Sequence, residues 1–152
     1  MKSSEPLWVK DVVQPYVFSI PPYVPGKPIA EVQRELGIGK AIKLASNENA
    51  LGPSPLALAA LRKHLREVNI YPESSAPDLR SGLAERYSLT PGNVILGNGS
   101  DEIMQMLAHV FLGIEDEAII AENSFSMYRI VTKLFGAKPV FVPLTNYHLD
   151  LD

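Results

Sequence analysis

A chain of 152 residues, 46% hydrophobic and 20% charged, is long enough to bury a core and too apolar to be intrinsically disordered. Its 14 basic residues against 17 acidic ones, a formal charge of −3, argue against a general nucleic-acid or anionic-membrane binder, which needs a basic face. The absence of cysteine excludes disulfides, thiolate metal sites and cysteine nucleophiles, and no stretch nears the roughly 20 apolar residues of a membrane helix.

The N-terminal MKSSEPLWVKDVVQ carries charge and no apolar signal core, so a soluble, cytoplasmic protein is expected. Six of the thirteen prolines fall between Pro6 and Pro28, and residues 13–28 read as an extended arm carrying Tyr16, Phe18 and Tyr23. Such an arm must lie on something, either its own domain or a partner chain. Ile29, Val32 and Leu36 then recur at helical spacing, with Gly37 as the stop. Residues 42–45 form a short apolar run compatible with a strand, and SNENALGPS (46–54) is a loop by composition. Ser54 followed by Pro55 is a helix start, and Leu58, Leu61, Leu65 and Val68 make one stripe behind it. After the loop NIYPESSA (69–76), Pro77 and Asp78 open a helix with Leu79, Leu83 and Tyr87 at steps of four.

From Pro91 the rhythm changes. Val94-Ile95-Leu96 reads as a buried strand that ends in Gly97-Asn98-Gly99. A helix follows with Ile103, Leu107, Val110 and Phe111 on one face, stopped by Gly113. Ala118-Ile119-Ile120-Ala121 is a second strand, residues 124–135 a further helix, and Val140-Phe141-Val142 a third strand. Short apolar strands alternating with amphipathic helices predict an α/β class with a parallel sheet covered on both faces. A three-stranded open sheet is short, and the chain stops at HLDLD just after its last strand, so it reads as the front portion of something longer.

The turn GNGSDE (97–102) is the most informative local feature. It joins a strand to a helix, where ligands of parallel sheets bind and where helix N–H groups attract anions. Glycines at 97 and 99 admit close approach and Ser100 adds a hydroxyl, but Asp101 and Glu102 repel a phosphate unless their side chains turn away. A plain serine cap with acids favoured by the helix dipole is the alternative. The turn is neither a Walker loop nor a GxGxxG. Asn47, Glu48 and Asn49 suit either a polar ligand or ordinary turn chemistry. Tyr71 lies beside Pro72 and Glu73, free to reach an anion or to cover core. Phe125, Met127 and Tyr128 follow the second strand, so a parallel sheet places them on the same edge as GNGSDE, where an aromatic stacks on a flat ligand or packs in the core. His64, His109 and His148 have no metal-ligand or triad spacing around them, and no metal site is expected.

Taken in order, PPYVPGKPIAEVQRELG, KLASNENALGPSP, IYPE, VILGNGSDEI and SFSMYRI resemble the N-terminal part of the histidinol-phosphate aminotransferases, class II pyridoxal-phosphate enzymes of the aspartate-aminotransferase fold. The resemblance runs from about Val12 to the end, and five ordered motifs make it far more specific than GNGSDEI alone. It implies a fold-type I α/β architecture: an N-terminal arm (1–28), a helical segment (29–90), and the first part of a large cofactor-binding domain with a mostly parallel sheet (91–152). It further implies pyridoxal 5′-phosphate as cofactor. Backbone N–H groups around Gly99, Ser100 and Asp101 would hold its phosphate, Phe125 would stack on its ring, and Tyr71 would reach the cofactor of the other subunit of a homodimer. Tyr23, Asn47 and Asn49 would lie on the substrate side, and the arm would close over the site or the dimer interface.

The implied whole reaction moves an amino group between histidinol phosphate and 2-oxoglutarate (yielding glutamate) in histidine biosynthesis. The family's Schiff-base lysine sits in a Ser-Lys motif, and none of the lysines at 2, 10, 27, 40, 43, 63, 133 and 138 does. The chain by itself is therefore expected to be inactive, with no catalytic residue of its own. Two other readings remain: a related aromatic-amino-acid aminotransferase, and a non-catalytic α/β module that binds phosphate or a partner.

Overall fold

The computed structural model describes residues 7–149. In chain order the elements are α1 (Leu7–Val12), α2 (Ile29–Leu36), α3 (Pro55–His64), α4 (Pro77–Tyr87), α5 (Gly99–Phe111), β1 (Glu117–Ala121), α6 (Ser126–Leu134), β2 (Lys138–Val142), and the two-residue strands β3 (Leu144–Thr145) and β4 (His148–Leu149). They belong to two compact units. One joins the arm through Tyr23 to everything from Ile95 onward, and the other runs Val24–Val94.

In the second of these units the predicted helix punctuation is present. α2 follows Pro28, whose extended backbone cannot continue a helix backwards, and stops at Gly37 in the left-handed region. α3 begins at Pro55, with the Ser54 carbonyl rather than its hydroxyl serving the first turn: it accepts the Leu58 N–H at 3.0 Å. Of the stripe Leu58, Leu61, Leu65 and Val68 only the first two lie on α3, the chain continuing from Leu65 as a 3-10 turn, and all four are exposed. Periodicity fixes which face is apolar and is silent on what covers it. α4 starts at Pro77 and buries Ala84; Arg80 bonds the Pro91 carbonyl through Nε (3.1 Å) and Nη2 (2.6 Å), fastening the helix to the turn Pro91–Asn93. Residues 42–45, compatible with a strand in sequence, form none: Ile42 and Leu44 are exposed and no described strand pairs with them.

At the head of this unit Lys27 hydrogen-bonds Glu35 and lies 3.8 Å from Glu31, tying the end of the proline-rich segment to α2. The Glu35 hydrogen bond holds the Lys27 pKa above its ordinary value, opposed by desolvation and aided by the charges of Glu35 and Glu31. A raised lysine pKa contributes stability that is complete below the unfolded value of about 10.4 and lost as pH rises through the folded value. Lys27→Met is thus expected to lower stability slightly, the gap from wild type closing at strongly alkaline pH and in high salt, because exposed pairs are screened. Urea titrations at neutral and alkaline pH, with and without added salt, check this.

The other unit is built on a βαβ segment. β1 and β2 pair in parallel, Ile119 opposite Val140 and Ile120 opposite Phe141, with α6 between them in sequence and packed on both. A parallel pair needs such a crossover. Pro139 lies within β2; with no N–H to give, it suits a strand that is paired on one side only. The core gathers Ala108, Ile120, Val131, Thr132 and Ala137, and the buried Thr132 hydroxyl is satisfied by the Tyr128 carbonyl at 2.7 Å. α5 packs on α6, where His109 stands nearly perpendicular to Phe135 at 5.6 Å.

Three expectations change here. Val94-Ile95-Leu96 is not a strand, because a strand exists only through a partner and none of the described strands pairs with it. The parallel sheet has two strands rather than three and is not covered on both faces, Ile119 being 74% exposed. The arm is not extended throughout. Pro15 opens a 3-10 turn, Pro15–Ser19, that packs on α6, with Tyr16 against Gly136 and the Ser19 carbonyl 3.4 Å from Lys133 Nζ. This part of the arm therefore lies on its own domain. Beyond expectation, β3 and β4 form a hairpin whose turn residues Asn146 and Tyr147 both have positive φ. The HLDLD ending lies partly outside the described residues.

Candidate functional site

The GNGSDE turn leads into α5 as the sequence predicts, and its geometry shows how. Gly99 is the first helical residue, at φ +77, a left-handed conformation that costs a residue with a Cβ about 1–2 kcal/mol. The space that a Cβ on Gly99 would occupy is open. Its own N–H bends back to the Gly97 carbonyl at 2.9 Å. Asn98 is the N-cap residue but makes no side-chain capping bond, and no described group accepts a hydrogen bond from the N–H of Ser100 or Asp101. Two first-turn donors at the positive end of a 13-residue helix are thus unused, which is the arrangement that receives an anion.

The acids do not spoil it in the same way. Glu102 folds backwards: one carboxylate oxygen accepts the Asn98 backbone N–H and, at 3.0 Å, the Asn98 side-chain amide. This is a capping-box contact made one residue late, and it directs the charge behind the turn. Gly97 makes room for it, since a Cβ there would lie 2.9 Å from Ile103 Cδ1 and 3.1 Å from Glu102 Oε2. Asp101 has no hydrogen-bond partner among the described residues. The serine cap offered by the sequence does not form, since the N-cap residue is Asn98 and Ser100 lies within α5.

Phe125 immediately precedes α6, and its carbonyl accepts the Tyr128 N–H at 3.1 Å. Its ring, in a residue 42% exposed, neighbours two tyrosines, Tyr23 at 6.4 Å and Tyr128 at 6.0 Å, each nearly perpendicular to it. The structure therefore brings Tyr23 and Phe125 together from opposite ends of the unit's sequence. Tyr128 completes the group and, at 45% exposed, is not core. The inference that Phe125 and GNGSDE share a sheet edge loses its basis, because residues 94–96 do not join the sheet; what connects their helices is the packing of α5 on α6.

In the other unit Tyr71 is 98% exposed. Asn49 is committed to its own loop, its side-chain oxygen accepting the Leu51 N–H and its amide donating to the Gly52 carbonyl, both at 3.0 Å. Asn47 is exposed with no described partner, and Glu48 pairs with Lys43 at 2.6 Å. Among the described residues no cluster of three His, Asp or Glu is placed to hold a metal ion, and no helix is long and apolar enough to cross a membrane.

Residues 39–152 match the family described as aminotransferase class I and II. Histidinol-phosphate aminotransferase from Caldicellulosiruptor saccharolyticus is 46% identical over 134 residues, covering 88% of this chain and 37% of its own. The enzyme of the same name from Symbiobacterium thermophilum is 48% identical over 130 residues, covering 86% and 36%. Among solved structures, histidinol-phosphate aminotransferase from Sinorhizobium meliloti in complex with pyridoxal-5′-phosphate superposes with a TM-score of 0.75 at 21% identity, over 89% of this chain and 36% of that one. Alanine aminotransferase from Pyrococcus furiosus gives 0.64 at 26% identity, over 77% and 33%. The chain spans a little over a third of the length of the curated relatives it matches. An α/β unit with parallel pairing, a glycine-bounded helix start and a match over most of its length place this chain in the aminotransferase class I and II family.

Proposed function

We propose that this chain supplies the cofactor-anchoring part of a pyridoxal-phosphate-dependent transaminase acting between histidinol phosphate and 2-oxoglutarate. The carrying observation is the pair of unused N–H donors at Ser100 and Asp101, at the start of α5 within the matched segment. They fit a phosphate group, because Gly99 leaves the approach open and Glu102 is turned behind the turn. Bound there, pyridoxal phosphate supplies an electron sink that acidifies the substrate's α-carbon.

The chain's own residues bind and orient. The backbone N–H groups of Ser100 and Asp101 hold the phosphate where Gly99 leaves the approach open, and Phe125 presents its ring to the pyridine. Tyr71, whose phenol is exposed, serves the cofactor of a second subunit in a homodimer. Substrate recognition is assigned to Tyr23 and to Asn47, with Asn49 shaping the loop that carries Asn47. Residues 91–152 act as the front of the cofactor-binding domain, and the protein works in the cytoplasm on small molecules.

The test uses the protein at its natural length, mixed with pyridoxal 5′-phosphate. A visible band that borohydride reduces, with transamination of histidinol phosphate by 2-oxoglutarate, is the expected result. Preference for aromatic amino acids moves the assignment to the related aminotransferases. No band and no phosphate-dependent binding leaves a non-catalytic module. The 152-residue chain alone is expected to give no turnover, since none of its lysines lies in a Ser-Lys motif.

A further inference from the structure

We infer that Tyr128 is a positioning residue for cofactor-ring recognition: it acts through Phe125, whose ring plane it sets. The inference rests on the reading of Phe125 as the residue that meets the pyridine ring. Phe125 is only half-buried, and a phenyl group so placed has little packing of its own to hold one tilt. Tyr128 stands 6.0 Å away at 85°, and Tyr23 stands 6.4 Å away, also at 85°. No described ring lies parallel to Phe125, so a flat ligand has no aromatic competitor for parallel stacking. Perpendicular aromatic pairs have a defined preferred geometry, and two of them constrain a ring plane more than one does.

Tyr128 is the better anchored of the two clamps. It lies in the first turn of α6, its N–H bonded to the Phe125 carbonyl at 3.1 Å and its own carbonyl bonded by the buried Thr132 hydroxyl at 2.7 Å. Tyr128 borders an apolar groove with Ala121, Ser124, Val131 and Thr132 and is itself 45% exposed, so its position is held through its backbone. Tyr23, by contrast, is the last arm residue of this unit. Tyr128 therefore has the better-held backbone of the two neighbours, and its ring is the nearer to Phe125.

The experiment compares affinities of the natural-length protein for pyridoxal 5′-phosphate and for inorganic phosphate, the second measured by competition. Tyr128→Leu is expected to weaken pyridoxal 5′-phosphate about fivefold, the scale of one aromatic pair, with phosphate affinity unchanged. Tyr128→Phe keeps the ring and is expected to bind as wild type. In a Phe125→Ala background the Tyr128→Leu effect is expected to vanish, which a merely structural role does not produce. Should Tyr128→Leu fail to fold, Tyr128→Met, unbranched and able to fill the groove without a fixed plane, carries the same expectation. A folded Leu or Met variant with wild-type affinity overturns the inference, as does an equal loss in the Phe125→Ala background. If Phe125→Ala itself changes nothing, the placement of the pyridine on Phe125 has failed and the inference fails with it.

Discussion

Replacing Gly97 with alanine is expected to destabilise the protein by about 1–3 kcal/mol and to weaken its hold on pyridoxal 5′-phosphate severalfold. The new methyl group would lie 2.9 Å from Ile103 Cδ1, 3.3 Å from Ile103 Cγ1 and 3.1 Å from Glu102 Oε2. The Ile103 side chain must shift, and the Glu102 carboxylate must give by a few tenths of an ångström, loosening its bonds from the Asn98 N–H and amide. A displaced carboxylate in the first turn then competes with an incoming phosphate for the same N–H groups. Because the nearest atom is a terminal methyl, the account has a sharp consequence: Ile103→Val, which deletes Cδ1, relieves part of the Gly97→Ala loss. Gly99→Ala offers the contrast. Its cost of about 1–2 kcal/mol comes from the positive φ alone, since the space there is open, so Ile103→Val does not relieve it. Urea unfolding of the singles and doubles decides. Additivity of Gly97→Ala and Ile103→Val within about 0.5 kcal/mol removes crowding as the cause.

Much of this architecture was legible because local chemistry and tertiary structure agree. Gly37 stops α2 through its left-handed φ, and Pro55 and Pro77 start α3 and α4 because a helix's first N–H groups need no partner. β1, α6 and β2 follow from two apolar runs separated by an amphipathic stretch. What was illegible is relational. Residues 94–96 have strand composition, and Val94 has an extended backbone, yet strand pairing requires a second chain segment at hydrogen-bonding distance. The leucines of α3 show the same limit for helices. The β3–β4 hairpin leaves no pattern in the sequence because each strand has two residues, too few for alternation, and because Tyr147 is a poor residue for positive φ.

The candidate site divides along the same line. GNGSDE announced a helix start that suits an anion, since glycine and N-cap chemistry are local. That Glu102 turns away was not readable, because one carboxylate in a first turn serves the dipole or the cap equally well in sequence. Phe125 and Tyr23 are separated by a hundred residues, and only the docking of the arm's 3-10 turn on α6 brings them within reach.

Phe125→Ala is accordingly expected to raise the dissociation constant for pyridoxal 5′-phosphate by about tenfold or more, while leaving competition by inorganic phosphate untouched. The truncation removes the stacking partner and two perpendicular pairs, each worth about 0.5–1.5 kcal/mol, so a loss of stability of about 1–3 kcal/mol accompanies it. The start of α6 survives, because the Tyr128 N–H bonds the backbone carbonyl of residue 125 rather than its side chain. Phe125→Trp, which enlarges the π face, is expected to retain most of the affinity. Phe125→Leu preserves much of the apolar area without a π face and falls between alanine and wild type. A leucine variant equal to wild type would mean that the position supplies hydrophobic cover alone. An alanine variant that loses phosphate affinity as well would mean that the ring and the helix start form one unit, and that the two anchoring roles assigned here cannot be separated.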